Sequence, residues 1–130
     1  MGKGLRLEGL EVYKVAMEIG ELVWEIVGKW EYFQKKTLGT QFVEAADSIA
    51  FNISEGYGRF HYKDNKKFCY YSRGSAKETL TATDKAKKRN LITDDEFKLL
   101  NDKLDRYFRL MHGYIKSIGS SRDDEDINDM

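Results

Sequence analysis

Ile53-Ser54-Glu55-Gly56-Tyr57-Gly58-Arg59 joins two long apolar-periodic stretches, and its reading decides the fold. One helical pattern enters it from Phe42 and a second leaves it near Tyr62. Two glycines and an arginine at such a junction mark a helix end and a turn, with Gly56 suited to a left-handed C-terminal cap. Downstream, Arg73-Gly74-Ser75-Ala76-Lys77-Glu78 places a glycine inside what otherwise reads as helix. A glycine there costs roughly 1 kcal/mol relative to alanine. Gly74 therefore predicts the close approach of another backbone.

Outward from this junction, the chain reads as four helices. The first runs from about Leu10 to Val27 and carries two adjacent apolar seams. Leu10, Tyr13, Met17, Gly20, Trp24 and Val27 form one; Val12, Ala16, Ile19, Val23, Ile26 and Trp30 form the other. Their joint arc is much wider than the ~100° of a one-sided surface helix. The second seam predicts a subunit interface, with Val23 and Trp30 as test positions; the plainer reading is a helix central to its own bundle. Gly28 and the polar Gln34-Lys35-Lys36 end this helix, and a second runs from about Thr40 to Glu55. The third, from about Tyr62 to Arg89, shows a thin seam of Phe68, Ser72, Ser75, Thr79, Ala82 and Ala86. Thr93 and Glu96 form a T-x-x-E capping box for the fourth. Its heptad is Phe97, Leu100, Leu104, Tyr107, Met111, Tyr114 and Ile118, with Asp102–Arg106 and Asp105–Arg109 as i,i+4 pairs on the outer face.

Short loops make neighbouring helices antiparallel. The fold class is all-α, an antiparallel up-down-up-down four-helix bundle. Residues 1–118 form one bundle domain, and 119–130, net charge −4, read as an acidic disordered tail. The absence of proline fits uninterrupted helices. A single cysteine, Cys69, excludes an intrachain disulfide and points to a reducing, cytoplasmic setting. No secretory leader is read at the N-terminus, and no stretch approaches the ~20 apolar residues of a membrane span.

The order Asn52-Ile53-Ser54-Glu55-Gly56-Tyr57-Gly58-Arg59, then Phe68-Cys69-Tyr70-Tyr71-Ser72-Arg73-Gly74-Ser75-Ala76-Lys77-Glu78, resembles the small four-helix-bundle proteins encoded in intervening sequences of bacterial 23S rRNA genes. Accessory proteins of diversity-generating retroelements are similar. The resemblance spans about Leu10 to Ile118 and rests on both runs together. It implies a four-helix protomer, a ring-shaped homo-oligomer that is a homopentamer and, in the retroelement branch, nucleic-acid binding. It implies no settled activity for the intervening-sequence branch.

Catalytic signatures are weak. A di-iron bundle needs Glu-x-x-His pairs, yet Gly58 and Arg109 stand three residues before His61 and His112. Cys69 and His61 have no further cysteine or histidine placed to complete a zinc site. Gly56-x-Gly58 is followed by His61 where a dinucleotide fingerprint needs glycine. Spacing alone leaves a Cys69/His112 pair open, but buried cysteines are commonly inert. No metal, cofactor or enzymatic activity is read.

Asp47, Asn52 and Glu55 lie within an apolar pattern and need partners if buried. With Arg59, Arg73 and Glu78 they are read as a structural polar network; a phosphate or ligand site is the alternative. The resemblance places Glu55, Arg59, Arg73 and Glu78 in its most recurrent runs.

Charge gives the strongest functional indication. Residues 57–91 carry ten bases and three acids, net +7, whereas residues 1–56 are net −3. The candidate nucleic-acid contacts are Lys63, Lys66, Lys67, Tyr70, Arg73, Lys77, Lys85, Lys87, Lys88 and Arg89. Lys66, Tyr70, Arg73 and Lys77 step along one face, where an aromatic can stack on an unpaired base while cations meet phosphates. The plainer reading is a solvated lysine face. The expected function is a non-catalytic RNA- or DNA-binding accessory protein that contacts phosphates with little sequence discrimination. The alternative is a homo-oligomeric scaffold for another protein, such as a polymerase.

Overall fold

The computed structural model describes residues 6–119. Four long helices carry the structure: α1 Glu11–Gly28, α2 Thr40–Tyr57, α3 Tyr62–Lys88 and α4 Asp94–Ile118. The tail lies outside the described residues except for Gly119. No helix among the described residues is long and apolar enough to cross a membrane.

Each helix packs on its neighbours in sequence, and α4 closes on α1. Cross-contacts pair rising with falling residue numbers. Lys29 meets Glu96 at 2.7 Å, Lys103 meets Glu18 at 2.9 Å and Arg106 meets Glu11 at 3.5 Å. On the other side, Lys87 pairs with Asp94, Lys77 lies over Phe108, and Ser72 bonds Tyr107. Phe42, Ile49 and Ile53 of α2 and Leu100, Tyr107 and Met111 of α4 are fully buried.

The capping box forms in both directions. Thr93 Oγ1 accepts from the Glu96 amide at 3.0 Å, and Glu96 Oε1 accepts from the Thr93 amide at 2.9 Å. The small-residue seam of α3 is buried over Ser72, Ser75, Thr79, Ala82 and Ala86, while Phe68 is half-buried. Its hydroxyls are bonded, as buried polar groups must be. Thr79 and Thr83 donate to carbonyls four residues back, Ser75 donates to Ser48, and Ser72 donates to the Ile49 carbonyl at 2.8 Å. Ser72 has one hydroxyl proton, so Tyr107 is the donor in the Ser72–Tyr107 bond. Burial pushes the Cys69 thiol up to about 11 and raises the Tyr107 phenol further. Both groups ionise more easily in the unfolded chain. Their stabilisation is complete below the unfolded values and is lost as pH rises through the folded ones. The urea midpoint is expected to fall between about pH 9 and about pH 11. A midpoint level across that window would contradict the burial.

The structure corrects several expectations. The first helix ends at Gly28 as expected, but Gln34-Lys35-Lys36 is itself helical. Tyr32–Gln34 is a helical turn and Lys35–Gly39 a π-helical segment that runs straight into α2. Lysine and glutamine are good helix formers, so polarity there marked an outer face rather than a break. Leu38 and Gly39 supply the buried side. Gly56 is buried within α2 and is not a left-handed cap; Gly58 follows the helix at φ −80°. A Cβ on Gly56 would lie 2.7 Å from Asn65 Oδ1 and 2.9 Å from Phe68 Cβ. The glycine permits α2 and α3 to touch as they enter the turn.

Gly74 is the reverse case. It is exposed, and beyond its own stretch of helix no atom of the described residues lies within 4 Å of a Cβ built there. The packing expected of it is absent within one chain. Val23 and Trp30 are also reassigned, because both are buried in the protomer's core. Trp30 Nε1 donates to the Leu91 carbonyl at 2.8 Å. Their substitution by glutamate would unfold the bundle before it tested an interface. Asp105–Arg109 forms as expected, whereas Asp102 pairs with Lys98 and Arg106 with Glu11.

Candidate nucleic-acid interface

Because Ser72, Ser75, Thr79, Ala82 and Ala86 turn one side of α3 inward, its long cations must point outward or lie along its flanks. Lys63, Lys67, Lys77, Lys85, Lys88 and Arg89 are exposed; Lys66, Arg73 and Lys87 are half-buried. Tyr70 is 48% exposed. The Arg73 guanidinium lies 4.9 Å from the Tyr70 ring centre, and the Lys77 ammonium lies 4.9 Å from that of Phe108. One face of Tyr70 is thus already occupied by Arg73.

Ion pairing separates this surface from most of α1 and α4. Lys87 alone among the candidate bases pairs with a carboxylate of the described residues, Asp94 at 2.8 Å. That hydrogen bond and charge hold Asp94 below the usual carboxylate range. By contrast, Lys14, Lys29, Lys98, Lys103, Arg106 and Arg109 on or beside α1 and α4 all pair with acids. Of the ten bases in residues 57–91, only Arg59, with Glu55, and Lys87, with Asp94, make an ion pair among the described residues.

The two ends of α3 carry this surplus for different reasons. Lys85, Lys88 and Arg89 complement the negative end of the helix dipole and have a structural use. Lys63 lies in the first turn, where a cation opposes the dipole. Lys66 and Lys67, one turn on, gain nothing from it. Beside them, Phe60 is 84% exposed and Tyr62 38% exposed. Sequence reasoning had passed over these two rings and placed the stacking surface at Tyr70. The signal was present in Arg59-Phe60-His61-Tyr62-Lys63, where aromatic rings lie between two cations at a turn that exposes Phe60 and Tyr62.

The six residues read as one polar network are dispersed. Arg59 pairs with Glu55 at 2.7 Å, and both are exposed. Asn52 donates to the Ser48 carbonyl and hydroxyl. Arg73 turns toward Tyr70. Glu78 lines a groove between α2 and α3 with Glu44 and Lys85. Asp47 lies across Gly20 on α1, where a Cβ would meet Asp47 Oδ1 at 2.9 Å. Burial first, and then the nearby charge of Glu21, raises the Asp47 carboxyl above its ordinary range. No group of three or more His, Cys, Asp or Glu side chains arranged to hold a metal is present among the described residues. Cys69 is fully buried while His112 is exposed, and no hydrogen bond links them among the described residues.

The fold is shared with a crystal structure of a protein of unknown function from the S23 ribosomal protein family of Bacteroides thetaiotaomicron VPI-5482. The TM-score is 0.72 at 17% identity, covering 81% of this chain and 98% of that one. Comparison with curated proteins gives no match. The family model for the 23S rRNA-intervening sequence proteins matches residues 8–113, which takes in all of α1, α2 and α3 and most of α4. The chain belongs to the 23S rRNA-intervening sequence protein family.

Proposed function

We propose that the chain is a non-catalytic, cytoplasmic accessory protein that binds RNA or DNA through phosphate contacts made by α3. In this reading the four helices form an antiparallel up-down bundle that assembles into a ring-shaped homo-oligomer, a pentamer by resemblance. The observation that carries the nucleic-acid reading is the unpaired charge. Lys14, Lys29, Lys98, Lys103, Arg106 and Arg109 on or beside α1 and α4 pair with acids, Lys116 being the exception, whereas the bases of α3, Lys87 apart, make no ion pair among the described residues. Phosphates are a natural counter-charge, and repetition around a ring would turn weak contacts into avidity.

The test is a fluorescence-anisotropy titration of the full chain with single-stranded RNA and duplex DNA of unrelated sequence at several salt concentrations. Binding should be tight at low salt, fall steeply as salt rises, and differ little between sequences. No binding at low salt would end this reading and favour a scaffold that docks another protein.

The tail allows a second check. Residues 119–130 carry net charge −4 and, Gly119 apart, lie outside the described residues; their acids are a candidate counter-charge for the bases of α3. Truncation after Ser120 is expected to leave the melting temperature unchanged and strengthen RNA binding at low salt, with the gain vanishing as screening sets in. Weaker binding after truncation would contradict the charge argument.

A further inference from the structure

The outer seam between α1 and α2 is a groove with apolar walls and unneutralised acids. One part, of about 270 Å³, is lined by Tyr13, Met17, Gly20, Glu21, Asp47 and Phe51. A second hollow, nearer the π-helical segment on the same two helices, is lined by Trp24 and Val43. Phe51 is 72%, Trp24 65% and Met17 44% exposed. Such large side chains grouped on one face, rather than scattered, mark an interaction surface. The Asp47 side chain reaches into the groove over the bare backbone of Gly20. Neither Asp47 nor Glu21 receives an ion pair or a hydrogen bond among the described residues.

The charge restricts what can cover this groove. Two copies meeting groove to groove about a two-fold axis would bring Glu21 and Asp47 against the same acids. Like charges brought together out of water are repulsive. A basic surface with aromatic flanks fits instead. The protomer presents one on the middle of α3, where Arg73 and Lys77 are unpaired and Tyr70 and Tyr71 are 48% and 52% exposed. Gly74 lies at the centre of that stretch with open space in place of a side chain. A helix that pays the propensity cost of a glycine at an open position lets a neighbouring helix approach closely.

We propose that the α1–α2 groove receives the middle of α3 from a second copy of this chain, with Arg73 of the incoming copy facing Asp47 and Glu21. The inference rests on the homo-oligomer reading and gives it a geometry. Two different surfaces meet, so the contact is head-to-tail and repeats until a ring closes. The middle of α3 is then taken up by assembly, and its two ends carry the phosphate contacts.

The test is the mass of the full-length protein by sedimentation velocity, with helix content followed by circular dichroism. Four proteins are compared: wild type, Asp47→Lys, Arg73→Asp, and the double variant. The wild type should be one oligomeric species, each single variant should shift to lower mass with its helicity intact, and the double variant should regain the wild-type mass. Gly74→Leu gives an independent reading, because it favours the helix in the protomer and should still lower the assembled fraction. Single variants and Gly74→Leu of wild-type mass would overturn the assigned faces and leave the oligomer reading standing. A double variant no more assembled than the singles would also overturn them. A monomeric wild type would overturn both.

Discussion

Replacing Lys63, Lys66 and Lys67 together by alanine is expected to remove most of the affinity for single-stranded RNA at low salt. Each phosphate contact on a single strand contributes ~0.7 to the slope of log affinity against log salt, so three lost contacts should make it shallower by about two units. The same change should leave the melting temperature unchanged or slightly higher. Lys63 opposes the α3 dipole, and none of the three makes an ion pair among the described residues. A merely structural role would give the opposite pair of results: lower melting temperature, unaltered salt slope. Phe60→Ala should weaken single strands more than duplexes, because only unpaired bases offer a free face for stacking. Equal losses for both would remove the ring from the contact.

Gly56→Ala is expected to be the most damaging single methyl added to the bundle. The new carbon would lie 2.7 Å from Asn65 Oδ1, 2.9 Å from Phe68 Cβ and 3.0 Å from the Asn65 carbonyl oxygen. Two of those obstacles are a backbone oxygen and a Cβ, which cannot swing aside. α2 and α3 must separate at their tightest contact, and overpacking of this kind costs typically about 1–3 kcal/mol. The better helix propensity of alanine offsets roughly 1 kcal/mol at most. Thermal unfolding should show a midpoint several degrees lower. An unchanged midpoint would mean that the turn tolerates separation and that Gly56 has no packing role. Gly20→Ala makes a useful contrast. Its nearest obstacle is Asp47 Oδ1 at 2.9 Å, the far end of a side chain that can rotate away. Little stability should be lost there.

The helices were legible because their apolar spacing is regular and their boundaries are chemically marked. Thr93 with Glu96 announced the start of α4, and the serine-rich seam of α3 showed which side would be buried. Glycine was harder to read. Gly56 and Gly74 look alike in sequence, yet one is wedged against α3 and the other is open. A missing Cβ leaves room for a close neighbour, without saying whether one is there. The double seam of α1 had the same ambiguity. Val12, Ile19, Val23 and Ile26 are buried in the protomer, while Met17 and Trp24 of the other seam remain outside. Spacing identified two faces but could not say which one the bundle would use. The basic surface was visible as net charge, but its neutralisation was not. Pairs such as Lys103–Glu18 and Lys29–Glu96 join residues far apart in sequence and follow only from the fold.

In the proposed function, unpaired bases of α3, rather than net charge alone, bind nucleic acid. This is tested most directly by comparing two charge-matched variants in the same RNA anisotropy titration. One removes the unpaired Lys63, Lys66 and Lys67. The other removes Lys98, Lys103 and Arg109, which pair with Asp102, Glu18 and Asp105. The salt slope should be about two units shallower for the first, and within roughly half a unit of wild type for the second. Equal losses in both variants, or a larger loss in the second, would contradict the proposed function.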